Sequence, residues 1–303
     1  MSLFDTLIRT TLPITPKPII HFVARRYVAG SRLEDAEATV KRLQNEGCCA
    51  TVDVLGESVD NRALAGQAVA AYLEVLDAIR DSSLDAHVSL KPTQMGLAID
   101  EAFCISNITT ILDRAQGTKT FVRIDMEDAP TTDATLRVYR ELIRRFPGGT
   151  GVVLQARLRR TLADAAALAK SQTNVRLCKG IYLEPRSIAY CERDIIRQNF
   201  VHILKVLLQG GSYVGIATHD EWLVCESLAV IQQLGLAPDR YEFQMLLGVD
   251  PELRRIITAG GHRLRVYVPF GSHWYPYSVR RLRENPTIAT AGLQAILRGR
   301  LEF

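Results

Sequence analysis

The chain has 303 residues, 47% of them hydrophobic, and a formal net charge of +4 at pH 7. That is enough apolar mass for one large core or two smaller ones, and too little charge, with signs too mixed, to favour nucleic-acid binding. Six cysteines without a Cys-x-x-Cys pair, and no His cluster at zinc spacing, argue against a disulfide framework or metal site and for a reduced cytosolic protein.

Residues 3–30 read as two short helices around a Pro13–Pro18 loop, the second ended by Gly30. Asp5, Arg9 and the prolines interrupt any signal-peptide core. No stretch approaches the roughly 18 apolar residues of a membrane span. Residues 19–28 are basic and amphipathic. They fit a helix packed on the outside of the domain, or a peripheral contact with the inner face of a membrane. Residues 34–45 form a charged helix closed by Gly47, so 1–46 reads as an N-terminal helical segment.

From Cys48 onward a strand–helix rhythm sets in. Strands are expected at 48–55, 87–90, 120–124, 151–155, 175–178, 213–217, 241–246 and 265–268. Helices are expected at 60–81, 98–115, 131–145, 161–171, 190–209, 220–234 and 250–258. Near-continuous apolar strands in such alternation mean parallel sheet. About eight units in roughly 250 residues point to a closed (β/α)8 barrel of the TIM type spanning 47–303. An open nucleotide-binding sheet would need a Gly-x-Gly-x-x-Gly turn after its first strand, and Val-Leu-Gly56-Glu57-Ser is not that turn.

After the last strand a Gly-containing loop leads to Tyr277-Ser-Val-Arg280-Arg281-Leu-Arg-Glu284, stopped by Pro286. Helical spacing brings Tyr277, Arg280, Arg281 and Glu284 to one patch. Two adjacent guanidinium groups repel, and an anion gripped by both explains them better than a solvated helix end.

Chemistry in such a barrel sits where strands end. There the sequence places Asp53, Glu57, Lys91, Arg123, Asp125, Glu127, Gln155, Arg157, Arg176, Lys179, Tyr182, Thr218, His219, Asp220, Glu242, Gln244 and Tyr267. Cations and carboxylates crowded together need pairing or a ligand, so the rim reads as a site for a charged organic molecule. No nucleophile elbow is present, and covalent catalysis by Lys91 or Lys179 is disfavoured by the neighbouring arginines. The picture suits a cofactor that brings its own chemistry.

The stretches around Glu57, Lys91-Pro-Thr-Gln, Arg-Ile-Asp125-Met-Glu, Arg176-Leu-Cys-Lys179-Gly-Ile-Tyr182, Ala-Thr218-His219-Asp, Gln-Met-Leu246-Leu-Gly and Tyr277-Ser-Val-Arg280-Arg281 resemble, in order, the proline dehydrogenase family. The short length is similar to its small monofunctional bacterial form. The resemblance implies a distorted barrel that binds FAD, oxidises L-proline to Δ1-pyrroline-5-carboxylate and passes electrons to a membrane quinone. It implies that Lys91, Arg280 and Arg281 hold the substrate carboxylate and that Leu246, Tyr267 and Tyr277 wall the ring. Asp125 and Arg176 match catalytic positions. Met126, Gln155, Lys179, Gly180, Ile181, Thr218 and His219 match FAD contacts, and Glu57 a gate carboxylate. Ile181 stands where many members carry Ala, which leaves hydroxyproline or another cyclic amino acid as alternative substrates. A barrel that has lost catalysis, and a homo-oligomer, are compatible with the sequence.

Overall fold

Eight parallel strands close into a barrel, each hydrogen-bonded to the next in chain order and the last to the first. They are β1 (Cys49–Val54), β2 (Ala86–Leu90), β3 (Val122–Ile124), β4 (Thr150–Gln155), β5 (Val175–Cys178), β6 (Val214–Ala217), β7 (Tyr241–Leu246) and β8 (Leu264–Phe270). The structure, a computed structural model, describes residues 20, 24–56, 58–275 and 277–279. Helices α1 (Leu33–Asn45), α2 (Arg62–Asp81), α3 (Glu101–Thr118), α4 (Thr132–Arg145), α5 (Thr161–Ala169), α6 (Arg193–Gln209), α7 (Glu221–Gln233) and α8 (Pro251–Ala259) surround it. The helix α1 precedes the first strand and packs across the seam between β1 and β8.

The strands look continuously apolar in sequence but divide by period two. Val52, Val88, Val122, Val152, Val175, Val214, Phe243 and Val266 are almost fully buried in the layer shared with the helices. Their strand neighbours Asp53, Ser89, Arg123, Arg176, Glu242, Gln244 and Arg265 are buried polar groups, and Ser89, Arg176, Gln244, Glu242 and Arg265 bond one after another across the barrel. Such cross-strand bonds are possible only through the lumen. Glycine makes the room: a Cβ at Gly151 would lie 2.5 Å from an Arg123 guanidinium nitrogen, and one at Gly215 would lie 2.4 Å from the Gln244 amide nitrogen.

Helix starts shift where a capping residue decides them. Residues 98–100, expected in a helix, lie outside it, because the Asp100 side chain accepts from Phe103 N–H and starts α3 at Glu101. The expected helix at 190–209 starts at Arg193 instead. The bridge between Leu158 and Ala189 keeps the preceding chain extended.

Two expectations about the rim are corrected. Arg123 bonds the carbonyls of Val152 and Asn174, and Glu242 takes Arg265 Nε at 2.9 and 3.1 Å. Asn174 precedes β5, and Glu242 and Arg265 are second in their strands, so all three side chains form the barrel floor, not its mouth. Burial, then the charge of Arg176, pulls Arg123 down to about 9, while Arg265 outweighs burial and holds Glu242 down at about 2.

Candidate active site

The C-terminal ends of β2 to β8 open into a cavity of about 750 Å3. Asp125, Arg176, Lys91, Leu246, Tyr267, Tyr277, Met126, Gln155, Lys179, Gly180, Ile181, Thr218 and His219 all line it. Residues chosen from separated stretches of sequence thus converge on one space, because every stretch ends a strand on the same side. Glu57, Arg280 and Arg281 lie outside the described residues.

Asp125 sits at the centre. Its Oδ1 accepts from Ser89 Oγ at 2.7 Å and from Arg176 Nη1 at 2.7 Å, and its Oδ2 accepts from the Tyr267 hydroxyl at 3.1 Å. A carboxylate so covered is held in place as an acceptor and counter-charge. Arg176 is pinned on a second side, because its Nε donates to Gln244 Oε1 at 2.6 Å. The Gln244 amide can face only one way: Arg176 only donates and Glu242 accepts from Gln244 Nε2 at 2.6 Å. The Arg176 guanidinium also stands 5.3 Å from the Tyr267 ring centroid. Burial, then the nearby Asp125 and Asp53 charges, pushes the Tyr267 hydroxyl well above the usual tyrosine range, so it stays a donor.

Lys91 closes another wall. Its Nζ donates to both carboxylate oxygens of Asp53, at 2.8 and 2.9 Å. Burial pulls this ammonium's pKa down, but the charges of Asp53 and Asp125 outweigh it and hold Lys91 above its ordinary value. Beside it, burial raises Glu127 against the two hydrogen bonds it takes from Thr93. Burial also pushes the Cys178 thiol, which lines the cavity, up to about 11. At neutral pH it is a thiol and offers no nucleophile.

The far wall carries donors and cations. Gln155 Nε2 is fixed on the Glu127 carbonyl at 2.6 Å. His219 Nε2 accepts from the Leu246 N–H at 2.7 Å, which leaves Nδ1 as the protonated nitrogen of the neutral ring. Asp220 is buried under Lys179 (3.0 Å) and Arg197 (2.9 and 2.7 Å). Burial would raise its carboxyl, but these two cations win and hold it far below the usual range. Gly180 adopts φ +92, and a Cβ there would lie 2.7 Å from Gln155 Oε1. Only glycine fits, and it leaves backbone bare at the cavity surface.

Sequence reasoning listed Asp53 and Gln244 without giving them roles and missed Ser89. An alternation count would have found Ser89, since it stands on β2 two residues before Lys91, which directly follows the strand. It also read residues 19–28 as an outer or membrane helix. Arg26 and Tyr27 line the cavity, Ala29 N–H donates to the Pro269 carbonyl at 2.9 Å, and Gly271 N–H donates to the Gly30 carbonyl at 3.0 Å. Val28 and Leu55 pack with Tyr277 and Trp274. Residues 26–30 form part of the wall of the cavity mouth. Among the described residues no helix is long and apolar enough to cross a membrane.

The comparisons decide the family. The family model described as proline dehydrogenase matches residues 36–291. The chain belongs to the proline dehydrogenase family. It is 36% identical to proline dehydrogenase 1 of Bacillus subtilis subsp. natto over 275 residues, covering 91% of each chain. It is 34% identical to the proline dehydrogenase of Deinococcus radiodurans over 281 residues, again with 91% of each covered. Among solved structures, proline utilization A from Bdellovibrio bacteriovorus, inactivated by N-propargylglycine, superposes with a TM-score of 0.82 at 23% identity. That likeness covers 87% of this chain and 32% of the other, and it speaks to the barrel fold alone.

Proposed function

We propose that this chain oxidises L-proline to Δ1-pyrroline-5-carboxylate at the barrel mouth, with FAD as the bound electron acceptor and a membrane quinone as the next one. The observation that carries the reading is the meeting of Asp125, Arg176, Lys91, Tyr267 and Tyr277 in one cavity of about 750 Å3, near the upper end for ligand pockets. The residues present fit FAD. Lys179 and Arg193 bring positive charge to one wall for a pyrophosphate, Gln155 and His219 bring fixed donors, and the bare Gly180 backbone admits a close approach. Met126, Ile181 and Thr218 complete that wall. FAD, when bound, supplies the two-electron acceptor that no side chain here provides.

The protein's own part is position and charge. Lys91 grips one oxygen of the proline carboxylate, and Arg280 and Arg281, from the stretch beyond the described residues, complete the grip. Leu246, Tyr267 and Tyr277 wall the pyrrolidine ring. The ring nitrogen reacts in its neutral form, because its lone pair assists departure of the neighbouring C–H electrons. Asp125 keeps Arg176 and Tyr267 aimed inward; with both its oxygens covered it serves as an orienting charge and not as the base. Arg176 meets the negative charge that grows in the reaction, the usual large electrostatic contribution. Fixing the acid in this way makes the transfer effectively intramolecular.

The test is purification with FAD, followed by kcat/KM for L-proline and hydroxyproline with a quinone analogue. A yellow protein that prefers proline is expected. A protein that stays colourless with added FAD refutes the reading, and preference for hydroxyproline transfers it to the alternative substrate.

A further inference from the structure

Asp53 has no assigned part in the chemistry, yet it is fully buried and gives both oxygens to one cation of the site. It comes from β1, 38 residues before Lys91, which directly follows β2, and the two meet only because the strands pair with Asp53 beside Ser89. The fully buried Tyr72 hydroxyl, from α2, stands 3.3 Å from Asp53 Oδ1 and donates to the Ser89 carbonyl at 2.8 Å. Ser89 in turn donates to Asp125. A bidentate hold on an ammonium leaves it one N–H to spend elsewhere, and Lys91 lines the cavity.

We infer that Asp53 is a positioning residue that acts through Lys91, pinning its ammonium at the cavity wall as part of the grip on the substrate carboxylate. The inference rests on the proposed acid-binding site. A buried lysine without a counter-charge loses its proton readily. Among the described residues, the charged groups facing Lys91 are Asp53 from β1 and Asp125 and Glu127 from the loop after β3. Asp125 is already engaged by Arg176, and Glu127 by Thr93. Among the described residues Asp53 alone holds Lys91 with both oxygens, so its charge decides whether Lys91 stays cationic at alkaline pH.

The experiment uses a five-membered cyclic carboxylic acid lacking the ring nitrogen, titrated by calorimetry into FAD-loaded protein from pH 6 to 9. Such an acid stays ionised over this range, so any pH dependence belongs to the protein. Wild-type Kd is expected to change by less than about threefold, whereas Asp53→Asn raises Kd by about tenfold per pH unit above the lowered lysine pKa. Asp53→Glu keeps the charge and keeps Kd flat with pH. A flat Kd in Asp53→Asn overturns the inference. Removing both charges of a buried pair is far milder than removing one, so the double variant with Lys91→Met is the folding-safe arm. In the Lys91→Met background, adding Asp53→Asn is expected to change Kd by less than about threefold. A further tenfold loss there shows that Asp53 acts independently and overturns the inference. A wild-type protein that binds no acid at all overturns the carboxylate site itself, and the assignment with it.

Discussion

Replacing Glu242 by Gln removes one charge from the barrel floor and leaves Arg265, which is 2% exposed, without its counter-ion. Arg265 keeps its bond to the Ala50 carbonyl at 2.7 Å, so the loss is that of an uncompensated buried charge and not of every contact. Breaking such a pair costs about 3–5 kcal/mol. At about 2–4 °C per kcal/mol for a large domain, the Tm should fall by at least about 6 °C. The damage also reaches the site. A glutamine at 242 can turn its NH2 toward Gln244 Nε2, so one of the two partners that fix the Gln244 amide beneath Arg176 is weakened. Activity at temperatures where the variant is folded should therefore fall in kcat more than in flavin content. The pH dependence follows from the pair. Glu242 is lowered from 4.5 to about 2, so its contribution is complete above pH 4.5 and fades as pH falls toward 2. The Tm difference between wild type and variant should shrink over that interval. Calorimetric melting at pH 7 and at acid pH checks this. A Tm loss under about 2 °C at pH 7, or a difference that grows on acidification, refutes the reasoning.

Other perturbations read other parts of the site. A Cβ at Gly248 would lie 1.8 Å from the Arg26 carbonyl oxygen, at φ +71, so Gly248→Ala should push residues 24–30 off the cavity mouth and raise KM for proline by about tenfold or more while FAD stays bound; an unchanged KM would show that this segment is not a wall. Asp220→Asn frees Lys179 and Arg197 from their shared anchor and should lower FAD retention on gel filtration while leaving Tm within a few degrees. Arg281→Met should raise KM for proline far more than it lowers flavin content, and equal loss of both would place that arginine in the fold or the cofactor site.

The parts of this molecule written in local pattern are legible in the sequence. Each strand is a short run rich in apolar residues, and a helix lies between each strand and the next, so the order and closure of the barrel follow from alternation and chain length. The cavity residues followed too, since a residue just past a strand end has only one place to be. What escaped depends on which way a side chain points and on partners distant in sequence. Arg123 and Glu242 look like rim residues until the pleat and the closing strand pairs set them on the floor. Asp53 and Lys91 are 38 residues apart, and only the β1–β2 register joins them. Residues 24–30 are basic and amphipathic whether they face lipid or barrel, and only the tight fit of Gly248 against Arg26 tells which surface they meet.

The account's central claim is that a held carboxylate places a C–H bond of proline against a bound flavin. Adding L-proline to the FAD-loaded protein under anaerobic conditions, and following the visible flavin absorbance, tests it most directly. The account predicts that the yellow colour bleaches with saturable dependence on proline and returns when a quinone analogue is admitted. A flavin that binds stoichiometrically yet stays oxidised at saturating proline would contradict it.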